Sequence, residues 1–387
     1  MSRKKKVALP YLDGNQIELI TSGEPFFNAL EDLINQATKF IHLQIYIFDE
    51  DETGKKIFNL LKSAVERGVN VYLLVDAFGS HSLSKRFIRR IKHAHIHFRM
   101  FAPLFTAKGF QFSLRLHHKI ILADGNRALV GGINIANKYR GVGGKKPWLD
   151  FAVSVKGPVC KELLDICKRV WNRMFSKDKS YDIAQKIEHF EPGIKAKAVQ
   201  NNWYRRKIEV SHSYREAIRQ SKNSIILVAS YFLPGRIERR LLRRASSRGV
   251  KIKLILGSDS DVHMVKRATD YLYGFLLRNN IEIFEYRTSV VHGKIGTVDD
   301  KWITIGSYNL NHLSDYGSIE ANINVCDSNF SSQVKEMLNN IISNECVNIT
   351  LEDYQRHKTP LIKLKDWLSY QVIRISMRLM FLLTRNQ

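Results

Sequence analysis

The sequence predicts an α/β fold made of two similar lobes, each a sheet with helices on its faces. Three observations predict it. Helix-spaced and strand-like segments alternate along the chain. The alternation occurs twice, in the same order. The same set of polar residues then follows each copy. In the first copy, residues 29–37 have helical spacing and residues 40–48 (FIHLQIYIF) are rich in strand formers. Residues 55–66 are helical again, and residues 69–75 (VNVYLLV) form a strand entered through Gly68. In the second copy, residues 214–220 are helical and residues 224–232 (SIILVASYF) are strand-like. Residues 237–247 are helical, and residues 250–256 (VKIKLIL) follow Gly249 as a strand. AVERGVNVYLLVD and ASSRGVKIKLILG align without a gap. A short third strand is expected in each copy, near residues 96–100 and 281–286.

Composition limits what such a chain can do. Its 387 residues are 44% hydrophobic, enough for a sizeable core, so a wholly disordered chain is excluded. The formal net charge of +24 points to an anionic partner: nucleic acid, an anionic membrane or a phosphorylated substrate. Cys160, Cys167, Cys326 and Cys346 form neither a CxxC pair nor a zinc spacing, and a reducing compartment is the natural reading. The basic run Arg3, Lys4, Lys5 and Lys6 precedes an apolar stretch too short for a signal-peptide core. No uncharged apolar stretch reaches eighteen residues, so a soluble or peripherally attached protein is expected.

The duplicated chemistry is more specific. His117, Lys119 and Asp124 stand in LHHKIILADG, and Gly131, Gly132 and Asn134 begin seven residues after the aspartate. His292, Lys294 and Asp299 stand in VHGKIGTVDD, and Gly306, Ser307 and Asn309 begin seven residues after that aspartate. HxKxxxxD followed by G[GS]xN therefore occurs twice with identical internal spacing. Strand alternation puts the histidine and lysine of each motif on one face. The glycine-rich turn lets backbone come close, and its asparagine offers an amide donor. Two such sets across an interface would surround one phosphate with two lysines, two asparagines and two histidines. The lysines and asparagines would stabilise charge on the equatorial oxygens. One histidine would attack phosphorus and the other would protonate the leaving alcohol. No metal or other cofactor is expected, because the lysines supply the positive charge.

This duplicated HxKxxxxD resembles the signature of the phospholipase D superfamily, over about residues 15–350. The resemblance implies two phospholipase D-like lobes, each a mixed β-sheet flanked by helices, with the active site at the lobe interface. It implies reaction through a phosphohistidine, with His117 as nucleophile and His292 as general acid. Asp124 and Asp299 would be structural or histidine-orienting. Asp150, 33 residues after His117, and Glu320, 28 residues after His292, each open a strand-like run. In the family an acidic residue at this place supports a histidine, fixing its tautomer.

Within the superfamily, NQIELITSGEPFFNALEDLINQATKFIHLQIYIFDED, with Gly23 and Glu24, resembles the bacterial cardiolipin synthase branch. GKKIFNLLKSAVERGVNVYLLVDAFGS, GGINIANKYRG and PWLDFAVSVKGPV resemble it too, most closely the shorter synthases without amino-terminal membrane spans. The implied reaction is transphosphatidylation, moving a phosphatidyl group to a hydroxyl of phosphatidylglycerol. The alternative is a phospholipase D-type hydrolase or a nuclease of the same superfamily. The expected organisation is a basic segment at 1–14, lobes at 15–195 and 196–350, and a basic amphipathic membrane-associated segment at 351–387. In the last, Leu361, Leu364, Leu368, Val372, Ile375, Leu379 and Leu382 form a helical stripe, with Lys363, Lys365, Arg374, Arg378 and Arg385 along it. Packing on the protein is the competing reading of that stripe.

Three further clusters stand out. Arg236, Arg239, Arg240, Arg243, Arg244 and Arg248 give a broad basic face, suited to lipid headgroups or simply solvated. Phe101, Phe105, Phe110 and Phe112 are expected in the core, with lipid contact as the alternative. His93, His95 and His97 read as a basic edge strand, with a metal row the weaker reading. The expected partners are anionic phospholipids such as phosphatidylglycerol and cardiolipin, at the cytoplasmic side of a bacterial cell membrane. Nucleic acid is disfavoured, because much of the excess charge lies in the N-terminal run, the 236–248 face and the C-terminal stripe. The sequence leaves the oligomeric state open.

Overall fold

The computed structural model describes residues 10–103, 105, 106, 109, 110, 114–173, 187–202, 205 and 207–385. The basic run at residues 3–6 and Phe112 lie outside these, as do the side chains of Phe105 and Phe110. The first lobe comprises β1 (Leu12–Thr21), α1 (Glu24–Asn35), β2 (Phe40–Ile45), α2 (Glu52–Glu66), β3 (Asn70–Asp76), α3 (Lys85–His93) and β4 (His97–Phe101). The small pair β5 (Phe105–Thr106) and β6 (Gly109–Phe110) follows, then β7 (Arg115–Leu116), β8 (Lys119–Ala123), β9 (Arg127–Gly131), α4 (Asn137–Arg140), β10 (Phe151–Lys156) and α5 (Val159–Arg173).

The second lobe opens with β11 (Ile194–Asn202), β12 (Lys207–Ile208), α6 (Glu209–Gln220), β13 (Ser224–Ala229), α7 (Arg236–Ser247), β14 (Lys251–Gly257), α8 (His263–Leu277) and β15 (Ile281–Tyr286). It continues with β16 (Lys294–Val298), β17 (Trp302–Gly306), α9 (His312–Tyr316), β18 (Ser318–Cys326) and α10 (Ser328–Glu345). β19 (Cys346–Ile349), α11 (Leu351–His357) and α12 (Pro360–Arg385) complete the chain.

The two sheets have one topology. In the first, β2, β3 and β4 run parallel, and β8, β9, β10 and β1 continue from β2 in antiparallel order. In the second, β13, β14 and β15 are parallel, and β16, β17, β18 and β11 continue from β13 in antiparallel order. β19 adds to the far edge beside β15. β1 pairs with β11, so both lobes share one 17-stranded sheet.

Local sequence explains the elements. All six residues of β2 are buried, as expected for a strand covered on both faces. α2 starts at Asp51, whose side chain accepts from Gly54 N, and buries Ile57, Phe58, Leu61 and Ala64 at helical spacing. It ends at Gly68, with φ 87°, and its counterpart α7 ends at Gly249, with φ 88°. That left-handed turn explains the shared Arg-Gly of the aligned segments. α1 begins earlier than its apolar spacing suggests, because Pro25 fits the first turn. The three histidines do not share a strand face. His93 ends α3, His95 turns the chain with φ 55°, and only His97 lies in β4.

One hydrophobic core lies in each lobe, and another joins them. The joining core combines Val153, Leu163 and Trp171 of the first lobe with Ile323, Val334 and Leu338 of the second, and includes Phe101. The C-terminal helix α12 packs on the second lobe through Tyr370 and Ile373, with the Tyr271 and Tyr370 rings 4.9 Å apart. The stripe read from the sequence is the other face: Leu361, Leu364, Leu368, Val372 and Ile375 are exposed. The side chains of Leu379 and Leu382 lie outside the described residues. On α7, Arg236, Arg240, Arg243 and Arg244 are exposed. Arg248 leaves that face, because it donates to the carbonyls of Ile218, Arg219 and Ser221 at the end of α6. Those carbonyls lack helical partners and favour a cation.

Candidate active site

The two motifs occupy equivalent places in the two sheets. Each histidine stands two residues before a core strand, β8 or β16, and each lysine is that strand's first residue. His117 is held by the opposite lobe. β7 pairs in parallel with β18, and both His117 N and His118 N donate to Ile319 O, at 3.0 and 2.8 Å. His292 is held reciprocally, its N donating to Leu149 O at 2.8 Å. This exchange brings both imidazoles to one cavity of about 350 Å³.

The acids cross between the lobes as well. His117 Nδ1 lies 2.9 Å from Glu320 Oε2, and His292 Nδ1 lies 2.5 Å from Asp150 Oδ2. Counting along the chain ranges each acid with the histidine of its own lobe; the fold gives it to the other. Both carboxyl groups are fully buried. Lys119 Nζ donates to His117 O at 2.5 Å. Lys294 Nζ donates to His292 O and lies 3.0 Å from its Nδ1.

The remaining motif residues separate. Asn309 lines the cavity, and its buried Oδ1 has no hydrogen-bond partner. Asn134 does not offer its amide to a ligand. Its Oδ1 accepts from Ile47 N at 3.0 Å and its Nδ2 donates to Tyr139 Oη at 2.9 Å. Tyr139 was not singled out in the sequence, yet its hydroxyl lies 3.5 Å from His292 Nε2. The motif aspartates sit at the far ends of β8 and β16, five residues beyond each lysine, which is about 17 Å of strand. Asp124 accepts from the backbone of Thr38, Lys39 and Phe40, and Asp299 from that of Lys222, Asn223 and Ser224. Of their two expected roles, the structural one fits. Neither orients a histidine; they tie the turn after each motif strand to the start of β2 or β13.

Glycine at 132 follows from close approach: a Cβ there would stand 2.3 Å from Asp150 Oδ1. The equivalent residue of the second lobe is Ser307, whose hydroxyl donates to Glu320 Oε2 at 2.5 Å. Ser314 and Ser318 also donate to Glu320, at 2.8 and 2.7 Å. Apart from His292, Asp150 receives a bond from Phe151 N, at 2.8 Å. None of the three serines was legible as a site residue, although the mismatch of Gly132 with Ser307 was visible in the repeat.

These surroundings set the charges. Burial alone would raise Glu320, but His117, Lys119 and Ser307 outweigh it and hold the carboxyl below its usual range. Burial pushes Asp150 up to about 7, against the lowering influence of Lys294 and Lys119. Burial depresses His117 while Glu320 opposes that. Burial, Lys294 and Lys119 hold His292 well below the ordinary imidazole value. Burial and Lys294 bring Lys119 down to about 7. Two lysines enclosed this closely favour an anion between them. Among the described residues, no group of three or more His, Cys, Asp or Glu side chains could hold a metal ion.

The duplicated sheet, the crossed histidine–acid pairs and the paired lysines define a phospholipase D-like protein. The family model described as cardiolipin synthase, PLD-like domain, matches residues 30–143 and 214–342, and the chain belongs to that family. Among curated relatives it is 33% identical to cardiolipin synthase B of Salmonella typhimurium, over 87% of this chain and 83% of the relative. It is 30% identical to cardiolipin synthase B of Escherichia coli K12, over the same shares. In fold it is similar to the crystal structure of phosphatidylserine synthase from Haemophilus influenzae, with a TM-score of 0.71, 16% identity and 97% of each chain covered.

Proposed function

We propose that the protein is a cardiolipin synthase-like phosphatidyltransferase working through His117. The observation that carries this reading is the pair of crossed histidine–acid contacts, His117–Glu320 and His292–Asp150, that bring both imidazoles to one cavity, and their surroundings favour opposite protonation. The His117–Glu320 pair is an ionised acid beside a neutral imidazole, suited to attack phosphorus and then to support positive charge on the phosphorylated ring. The Asp150–His292 pair retains a proton up to about pH 7, suited to general acid work.

In the first half-reaction His117 Nε2 forms a bond to phosphorus and the bond to the head-group oxygen breaks. His292 gives that oxygen its proton, and Asp150 restores the proton on the imidazole. Lys119, Lys294 and Asn309 stabilise the equatorial oxygens. In the second half-reaction His292 takes the proton of a phosphatidylglycerol hydroxyl, whose oxygen displaces His117. The products are cardiolipin and the released alcohol, glycerol when phosphatidylglycerol is also the donor. Water in place of the acceptor would give phosphatidic acid.

Peripheral attachment at the cytoplasmic face of a cell membrane accompanies this reading. No described helix is long and apolar enough to cross a membrane. The exposed stripe of α12 and the arginines of α7 suit a bilayer surface. Phe78, Val262 and Leu313 are exposed at the cavity. The lobes at 15–195 and 196–350, with the attachment segment at 351–387, are the proposed domain organisation. Incubating purified protein with phosphatidylglycerol vesicles should release glycerol and form cardiolipin, read by mass spectrometry. Phosphatidic acid without cardiolipin would convert the reading to a hydrolase, and nicked plasmid without a lipid product would convert it to a nuclease.

A further inference from the structure

A second cavity, of about 510 Å³, lies between α7, α9 and α12. The short helix α9 separates it from the catalytic cavity: His312 and Tyr316 face the second cavity, while Leu313 and Ser314 face the first. Its lining is divided. Leu233, Ile237, Ile373 and Met377 offer apolar surface. Arg239 and Arg374 bring two guanidinium groups, and the Nε atom of each is buried without a hydrogen-bond partner. Arg215, in the same wall, is already paired with Glu238 at 2.6 Å and Asp315 at 3.6 Å. Among the described residues neither Arg239 nor Arg374 has a carboxylate partner; each only covers an aromatic ring, Phe275 or Tyr370, at 6.0 Å. Two buried donors on uncompensated cations leave the cavity short of an anion. The apolar remainder would reject a small hydrated anion and accept hydrocarbon.

We propose that this cavity is a second phospholipid site, distinct from the catalytic one. It takes an anionic glycerophospholipid, with the phosphate on Arg239 and Arg374 and an acyl chain against Leu233, Ile373 and Met377. The exposed apolar stripe on the adjoining face of α12 favours a bilayer lipid over a soluble anion. The site reaches the chemistry through α9, because Ser314 donates to Glu320, the partner of His117. Lipid bound on one side of α9 thus holds in place a donor to the catalytic acid on the other. This rests on the phosphatidyltransferase reading for its choice of lipid, but binding here needs no turnover.

The test is therefore made on full-length His117→Ala protein, which cannot turn over. Binding of a short-chain phosphatidylglycerol is counted by native mass spectrometry in detergent. Two lipids per chain are expected for His117→Ala alone, and one after adding Arg239→Gln and Arg374→Gln. Adding Arg239→Lys and Arg374→Lys instead should keep the second lipid, because the charge remains. Inorganic phosphate at millimolar concentration should not displace it, and phosphatidylcholine should not occupy it. Equal stoichiometry with and without the glutamines, at unchanged melting temperature, overturns the site; displacement by inorganic phosphate overturns its lipid character. With His117 restored, the two glutamines should lower cardiolipin formation about tenfold on vesicles. A protein that binds two lipids and makes no cardiolipin would overturn the proposed function and leave this site standing.

Discussion

The two halves of the site share a scaffold and differ in what surrounds their acids. In the half around His117, Glu320 receives three serine hydroxyls and stays ionised. In the half around His292, Asp150 faces Gly132, which can donate nothing from a side chain, and burial drives the acid up to about 7. A duplicated fold supplies two imidazoles; in the proposed mechanism a serine–glycine difference and the serines of α9 and β18 make one a base and the other an acid. Identical motifs therefore need not mean identical roles. In the proposed mechanism the roles are set by residues outside the shared histidine and lysine.

Breaking either histidine gives the largest expected effect and separates the roles. His117→Ala and His292→Ala should each lower cardiolipin synthesis at least about a thousandfold. A phosphodiester with a p-nitrophenolate leaving group needs little proton donation. It should recover most of the first-step rate in His292→Ala and none in His117→Ala, measured as the burst of p-nitrophenolate. Recovery in His117→Ala instead would reverse the assignment.

The acids should move opposite limbs of the pH profile. In the proposed mechanism activity requires neutral His117, held below the ordinary imidazole value, and a proton on the Asp150–His292 pair, whose acid is pushed up to about 7. A plot of log kcat/KM should thus rise on the acid side through the depressed value of His117 and fall above about pH 7. Asp150→Asn cannot release a proton, so the alkaline limb should vanish and kcat should drop about a hundredfold. Glu320→Gln removes a charge that raises His117, so the acid limb should move to lower pH as the rate falls. Ser307→Ala is the finer probe. Losing one of the bonds that lower Glu320 should reduce kcat about tenfold, of the order of one hydrogen bond to a charged group.

Much of the comparison was legible in the sequence because strands and spacing carry it. The aligned segments ending at Asp76 and Gly257 map onto α2–β3 and α7–β14, and β15 falls on residues 281–286 as expected. The placing of each histidine beside its lysine was legible because extended backbone of period two presents residues i and i+2 on one face. The crossing of Asp150 and Glu320 was not, since a contact between lobes leaves no trace in residue spacing. Tyr139 was invisible for the same reason, and Ser314 because its bond to Glu320 within the second lobe depends on how the short helix α9 is set against β18. Asn134 was misleading: its motif matches that of Asn309, but Tyr139 and Ile47 N take both ends of its amide. The stripe of α12 was legible as amphipathic, while its outward direction depended on Tyr370 and Ile373 filling the opposite contact.

The smallest effect on chemistry is expected at the most recognisable residues of the motif. Asp124 and Asp299 adopt left-handed backbone conformations, with φ of 51° and 55°, in the turns that close the β8–β9 and β16–β17 hairpins. Each gathers three backbone N–H groups at the start of a parallel core strand, and Asp124 also accepts from the Thr38 hydroxyl at 3.0 Å. Those donors lie near the surface, where water can replace the carboxylate. Asp124→Ala should therefore cost about 1–3 kcal/mol of stability, seen as a lower Tm. The kcat of the folded protein should stay within about threefold of the parent, since no contact links this carboxylate to either imidazole. A hundredfold loss of kcat at unchanged Tm would place the aspartate in the chemistry, and the spacing HxKxxxxD would then record a catalytic triad and not a sheet register.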